Sequence, residues 1–254
     1  MDDTINICEK WVNENKEIFV RTCLVTTDKN TGTPANCNRG LKLAKGDWIK
    51  FIAGDDALLK NCIQSNIAYI LSNKNAKMVQ SNCEYYLKNF DESNYLFTTN
   101  LCKKKFFNAN YSSLNQYKLL LLRNRVKAAA VFFNKESLLM VGGFDERLKL
   151  MEDLPLWLNL TKNNIKIHCL DITTVKYRLS DTSVIRYRKP FMTDVYACET
   201  LLFYQYYVKG NISAFASLRF KLYIYGIIFL NRIGLNKKGI INRILFKAVT
   251  VLQP

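Results

Sequence analysis

Along the first three-fifths of the chain the hydrophobic period switches back and forth between that of a helix and that of a strand. Residues 4–14 set Ile5, Cys8 and Val12 on one helical face, with Asp2 or Asp3 placed to cap it. Residues 18–26 are apolar and β-branched and read as a strand. Residues 34–45 read as a helix opened by Pro34 and closed by Gly46. A short strand over 48–53 ends on Gly54-Asp55-Asp56, a helix is expected over 57–72, and 77–86 is extended again. Helices and strands that alternate in this way predict an α/β domain with a largely parallel sheet.

Residues 87–125 are rich in Asn, Lys and Tyr, less regular, and read as a long crossing segment. A buried strand over 128–133 runs into a short helix over 135–141 and the turn Gly142-Gly143-Phe144-Asp145. Residues 152–163 form a helical pattern with Leu156, Trp157 and Leu160 on one face, and 165–170 and 173–177 read as two further strands. From residue 186 to 254 the character changes: eleven Lys and Arg stand against Asp194 and Glu199. Apolar residues there fall at helical spacing, as in Phe215, Leu218, Leu222, Tyr225 and Phe229, with Arg219, Lys221 and Arg232 between them. Such a region suits either an anionic membrane face or helices packed on the main domain.

With 254 residues the chain can bury a full core without metal or disulfide staples. Its 49% hydrophobic and 23% charged residues exclude disordered and collagen-like classes. A net charge of +16 points to an anionic partner. None of the eight cysteines lies in a CxxC pair, and the acidic start Met1-Asp2-Asp3 is unlike a signal peptide, so reduced thiols in a cytoplasmic protein are expected. His168 is the sole histidine, in an alternating strand pattern, which argues against a multi-histidine metal site. The longest apolar run, residues 222–230, is too short for a bilayer-spanning helix, which needs roughly 20 residues.

Three constellations carry chemistry. Asp55 and Asp56 follow a strand, where ligands of open α/β sheets bind; two carboxylates there suit a hard divalent ion, although an Asp in that position also caps a following helix. Glu152 and Asp153 open a helix, where acids favour the dipole, but a carboxylate projecting into a cleft also serves as general base. The run from Gly32 to Gly40 leads small residues into a helix start that carries Asn36, Asn38 and Arg39, a candidate phosphate or sugar contact.

In this order the three resemble the inverting family 2 glycosyltransferases of GT-A fold. The run from Lys29 to Leu41, then Ala44-Lys45-Gly46-Asp47-Trp48-Ile49, then Gly54-Asp55-Asp56 is similar to that family's successive motifs. Gly142-Gly143-Phe144-Asp145-Glu146, followed by Glu152-Asp153 and Trp157, resembles its later acidic element, and Tyr177-Arg178 with Ser180 and Ser183 its Tyr-Arg segment. The resemblance implies a Rossmann-like mixed sheet flanked by helices over residues 1–185, with 186–254 as a separate basic amphipathic helical region. Mn²⁺ or Mg²⁺ would be held by Asp55 and Asp56, and Asp153 would act as base. Glu152 and Trp157 would shape the acceptor site, while Gly32, Asn36, Arg39, Asp55 and Arg178 would contact the donor.

The implied reaction moves a sugar from a nucleotide-diphosphate sugar to a lipid-linked or polysaccharide acceptor. The setting expected for it is bacterial cell-surface polysaccharide assembly (O-antigen or capsule), at the inner face of the plasma membrane. The family's opening strand and helix have no counterpart before Thr4, so the domain is expected to lack its first βα unit. Two rivals follow: an inactive remnant that keeps the acceptor half, and a basic nucleic-acid binder. The second lacks any helix-turn-helix, RNP-like or zinc signature, and its charge is expected to lie mostly outside the α/β part, so no nucleic acid is expected as partner.

Overall fold

The computed structural model describes residues 3–179 and 192–235. Helix α1 (Thr4–Asn15) comes first and is followed by α2 (Thr33–Leu43). Strands β1 (Trp48–Lys50) and β2 (Ala57–Leu58), helix α3 (Cys62–Ser72) and the long strand β3 (Met78–Leu87) come next. After β4 (Tyr95–Thr98) and α4 (Ser113–Leu120), β5 (Val131–Asn134) leads directly into α5 (Lys135–Met140). Helix α6 (Asp153–Lys162), strand β6 (Ile167–Leu179) and helices α7 (Asp194–Phe203) and α8 (Ala214–Arg232) complete the described chain.

The strands form one sheet in the order β1-β5-β3-β6-β2, with β4 paired to the second half of β3. Only β3 and β6 run parallel; the other pairs are antiparallel. The largely parallel sheet expected from the helix–strand rhythm is therefore corrected to a mixed one. Strand β4 returns on β3 after a short connection, whereas β1 and β2 meet their antiparallel partners β5 and β6 only after long excursions of the chain. Strand β3 sits at the centre and is buried on both faces over nearly its whole length, as its run Met78-Val79-Gln80-Ser81-Asn82-Cys83 requires. The two strands expected over 165–177 are one strand, whose register against β3 shifts at Ser81, Asn82 and Cys83.

Other expectations also change. Residues 21–27 form no strand, and Val20 is fully exposed at 110%. β-branched residues favour strands only where a neighbouring strand takes up their N–H and C=O groups, and no strand pairs with this segment among the described residues. The helix expected from residue 57 starts at Cys62, because Ala57 and Leu58 pair with Lys176 and Val175 of β6, and the Leu59 N–H donates to Thr174 O at 2.9 Å. Cross-sheet pairing overrides helix propensity here. The irregular 87–125 stretch contains α4, whose N-terminus is closed by a capping box between Ser112 and Asn115. Cys102 and Cys169, 67 residues apart, are joined by a disulfide, so the expected set of eight reduced thiols becomes six.

Among the described residues the buried apolar ones form three clusters, the largest of which joins the sheet to the C-terminal helices. Leu41, Ile49, Met78, Phe133, Leu138, Trp157 and Ile167 share it with Ala197, Phe203, Ile224 and Ile227 of α7 and α8. Burial of each large side chain contributes about 1.5–3 kcal/mol, which fixes the C-terminal helices to the sheet. Helix α8 is apolar on two sides: Phe220, Ile224, Ile227 and Leu230 face the core, while Phe215, Leu218, Leu222, Tyr225 and Phe229 are exposed. No helix is long and apolar enough to cross a membrane among the described residues.

Candidate active site

The functional residues gather where β6 ends beside β3. The turn Gly54-Asp55-Asp56 lies just ahead of β2, and the Asp56 N–H closes it by donating to Ala53 O at 3.2 Å. Asp56 caps no helix, since α3 begins six positions later. Its Oδ1 instead accepts the backbone N–H of Arg178 across the sheet at 3.0 Å. Burial pushes the Asp56 carboxyl up to about 6, and the negative charge of Asp55 adds to this. The Arg178 N–H, the Arg178 guanidinium and Lys50 oppose the rise. Burial lowers the Lys50 ammonium to about 8, and its Nζ donates to Ala129 O and Val131 O.

Asp153 is held differently. It opens α6, where its Oδ1 accepts the Leu154 N–H at 2.5 Å and its Oδ2 accepts Asn124 Nδ2 at 2.6 Å. Burial raises its carboxyl above the ordinary range, against the pull of these donors and of the Lys127 charge. Glu152 is raised as well, by burial first and then by the charges of Asp153 and Glu199. Glu199 of α7 is buried and accepts the Leu150 N–H at 2.5 Å, so α7 fixes the loop that delivers both acids. Tyr196 lies in the field of all three carboxylates, and burial followed by those charges keeps its phenol protonated.

Tyr177 links the two acidic places. Burial raises its phenol, and the charges of Asp56, Asp55 and Asp153 each raise it further, so one ring feels the charge of both acidic places. Tyr85 packs on Tyr177 with centroids 4.9 Å apart, and Lys127 Nζ lies 5.7 Å from the Tyr85 centroid.

The remaining residues singled out in the sequence support this centre in different ways. Gly32 takes φ +90°, and a Cβ there would meet Lys149 O at 2.7 Å; the Thr33 N–H donates to that same oxygen at 3.1 Å. The start of α2 is thereby pinned to the loop before Glu152. Asn36 is exposed and accepts from Arg39, which also donates to Thr31 Oγ1 at 2.9 Å. Trp157 is a core residue, 1% exposed and stacked on Phe133, so it backs α6 from below and offers no face to an acceptor. Ser180 and Ser183 lie outside the described residues, as does Asp2.

Asn38 serves a purpose that spacing alone does not show. Its side chain accepts the Phe144 N–H at 2.8 Å and donates to Phe144 O at 2.9 Å and Glu146 Oε1 at 2.8 Å. Gly143, at φ +76°, is needed because a Cβ there would sit 2.6 Å from Asn38 Oδ1. The next residue, Asp145, binds Arg147 and accepts the Tyr207 hydroxyl at 2.7 Å, so the C-terminal helices clamp the same loop. Sequence reasoning also missed Lys50, Asn124, Lys127, Tyr196 and Glu199. Lys50 carried a weak signal, as a lysine inside an apolar strand run; Asn124 and Lys127 carried none, since the first stands in the irregular stretch and the second just beyond it.

The donor set at the turn fits a hard divalent cation. Asp56 keeps one oxygen without a hydrogen-bond partner among the described residues, and exposed Asp55 is adjacent. No cluster of three His, Cys, Asp or Glu suited to a metal occurs among the described residues. Two carboxylates alone match the way Mg²⁺ is held beside nucleotides, with phosphate and water completing its shell.

Comparison with known proteins bears on these residues. The sequence model of glycosyl transferase family 2 matches residues 1–135. An uncharacterised glycosyltransferase of Methanocaldococcus jannaschii, MJ1057, is 21% identical over 194 residues, covering 76% of this chain and 63% of that protein. Residues 1–349 of S. aureus TarS, solved in complex with UDP, align with TM-score 0.50 and 17% identity over 90% of this chain and 60% of that one. The same protein in complex with UDP-GlcNAc gives TM-score 0.52 and 14% identity, over 90% of this chain and 61% of that one. The chain thus spans less than two thirds of the length of each of these relatives. The structural likeness agrees with the expected GT-A architecture, a mixed sheet flanked by helices.

Proposed function

Because the chain belongs to glycosyl transferase family 2, we propose that it moves a sugar from a nucleotide-diphosphate donor to a lipid-linked or polysaccharide acceptor with inversion at the anomeric carbon. The observation that carries this reading is an exposed Asp55–Asp56 turn hydrogen-bonded to β6 at Arg178, together with an Asp153 fixed by Asn124 and the Leu154 N–H, with the charges of both places acting on Tyr177. Asp153 takes the proton of the acceptor hydroxyl as that oxygen bonds to the anomeric carbon and the bond to the diphosphate breaks. Asn124 and the Leu154 N–H orient the carboxylate for that transfer. Asp55 and Asp56 would hold Mn²⁺ or Mg²⁺, which, when bound, offsets charge on the diphosphate leaving group. Lys50 and Arg178 place fixed positive charge beside the same turn.

Uridine diphosphate sugars are the first donors to try, since TarS was solved with UDP and with UDP-GlcNAc. UDP release from UDP-GlcNAc and related donors is followed with Mn²⁺, then with EDTA, for the chain and for Asp56→Asn. The expected outcome is release that requires metal and is lost in the variant. A folded chain that binds no nucleotide-sugar with or without metal overturns the reading. An anionic membrane at the cytoplasmic face belongs to the same proposal and rests on the exposed Phe215–Phe229 stripe of α8 with Lys221 and Arg232 beside it. Sedimentation with phosphatidylglycerol vesicles at low salt tests it, and protein that stays in the supernatant removes the membrane from the proposal.

A further inference from the structure

Beside Asp153 lies a cavity of about 370 Å³ with an apolar floor that includes Leu101, Phe106 and Phe107, and a rim that carries Lys104, Lys105, Arg123, Arg125 and Lys127. Among the described residues no acidic one lines it. The five cations are exposed, and the ion pairs found among the described residues, Lys10–Glu14 and Arg147–Asp145, lie elsewhere. Gathering like charges around one hollow raises the free energy until an anion enters. The walls are fixed from beneath by three buried amides. Asn82 Oδ1 accepts the Leu101 N–H at 2.8 Å, Gln116 Nε2 donates to Phe106 O at 3.1 Å, and Gln80 Oε1 accepts the Lys127 N–H at 2.8 Å. The Cys102–Cys169 disulfide ties the first of these loops to β6. Asn124 lines the same cavity and donates to Asp153 Oδ2 at 2.6 Å, so the hollow adjoins the group that holds the base.

We propose that this cavity is an anion subsite of the acceptor: it takes a phosphate or carboxylate group carried close to the hydroxyl that Asp153 deprotonates, and the substrate is therefore an acidic glycan or a phosphate-bearing acceptor. This rests on the sugar-transfer reading above, which places the acceptor on the Asp153 side and the donor diphosphate at the Asp55–Asp56 turn. Guanidinium forks at Arg123 and Arg125 suit the paired oxygens of either anion, and the phenyl rings of the floor suit the carbon face of a sugar.

The test is calorimetric binding of three probes: tripolyphosphate, a short polygalacturonate and a neutral dextran oligosaccharide. It compares the full chain with Arg123→Gln/Arg125→Gln, with Lys104→Gln/Lys105→Gln on the other loop, and with Lys74→Gln/Lys162→Gln, which removes the same charge from exposed positions elsewhere. Thermal melts confirm folding of each. An anionic probe is expected to bind the wild-type chain, to weaken by about tenfold or more in both cavity variants, and to change by less than about threefold in the control. The tighter of the two anions assigns phosphate or carboxylate. Equal weakening in control and cavity variants, binding of dextran alone, or full displacement by UDP with Mn²⁺ overturns the proposal, the last by assigning the cations to the donor. Failure of the parent reading has a separate signature: UDP-GlcNAc does not bind, while tripolyphosphate still responds to the cavity variants.

Discussion

The charges of Asp56 and Asp153 both act on Tyr177, and burial raises both carboxyls, yet the chain treats them in opposite ways. Asp56 gives one oxygen to a backbone N–H of β6 and leaves the other without a donor among the described residues, on a turn whose neighbour Asp55 is exposed. Asp153 has a donor on each oxygen, one from its own helix and one from Asn124. A group with free lone pairs at the surface suits a ligand that arrives from solvent. A group whose direction is fixed on both sides suits a proton taken along one line. The difference arises from position: Asp56 ends a turn before a two-residue strand, whereas Asp153 starts a helix whose core face is sealed by Leu156, Trp157 and Leu160.

The largest effect that tests this contrast is expected from Asp153→Asn. The amide keeps the shape of the carboxylate but takes no proton, so turnover is expected to fall by about 10²- to 10⁴-fold while binding of UDP-GlcNAc with Mn²⁺ stays within about twofold. Rates of UDP release and equilibrium binding on the same preparations decide it. If binding falls as far as the rate, Asp153 belongs to the donor half and the contrast with Asp56 is broken.

Much of this centre was legible in the sequence, because its parts are local. A strand that ends on Gly54-Asp55-Asp56, a glycine pair before Phe144 and an acidic pair ahead of an apolar helical face announce themselves within a few residues. What was not legible depends on partners distant in sequence. Residues 18–26 carry strand composition, but a strand forms only where another lies alongside. Ala57 and Leu58 join the sheet because β6, more than a hundred residues later, is there to receive them. The Asn38 contacts with Phe144 and Glu146 span 106 and 108 residues, and the Cys102–Cys169 bond spans 67. Charge was legible as a sum but not as a place: most of the net charge falls after residue 185, yet five positive residues between 104 and 127, which no local pattern joins, come together at one cavity beside Asp153.

A smaller and more specific effect separates the two acids by pH. Because burial raises Asp56 to about 6, its proton competes with a cation up to that pH. Apparent Mn²⁺ affinity, measured by titration in the presence of UDP, is expected to climb as pH rises toward about 6 and to level off above it. In Asp56→Asn both the affinity and that slope are lost; in Asp153→Asn both persist. The linked stability has the opposite sign. A folded-state pKa above the unfolded value means the metal-free fold holds the proton more tightly, so this contribution is present at low pH and is lost as pH rises through about 6. Added Mn²⁺ is expected to offset that loss, raising the melting temperature more at pH 7 than at pH 5.

The finest test lies at Asn124, which touches the base without touching the turn. Asn124→Ala removes the donor to Asp153 Oδ2, a hydrogen bond that favours the charged carboxylate. The Asp153 carboxyl then rises further, and the acidic limb of the pH–rate profile is expected to move upward by up to about one pH unit. The rate on the plateau is expected to fall by less than in Asp153→Asn, because the Leu154 N–H still orients one oxygen. The Mn²⁺ titration and its pH slope report the other side of Tyr177 and are expected to stay where they were. A residue that acted only through general packing would instead lower the melting temperature and the plateau while leaving the limb in place. The position of that limb is therefore the measurement that distinguishes a tuned base from a buried acid that happens to open a helix.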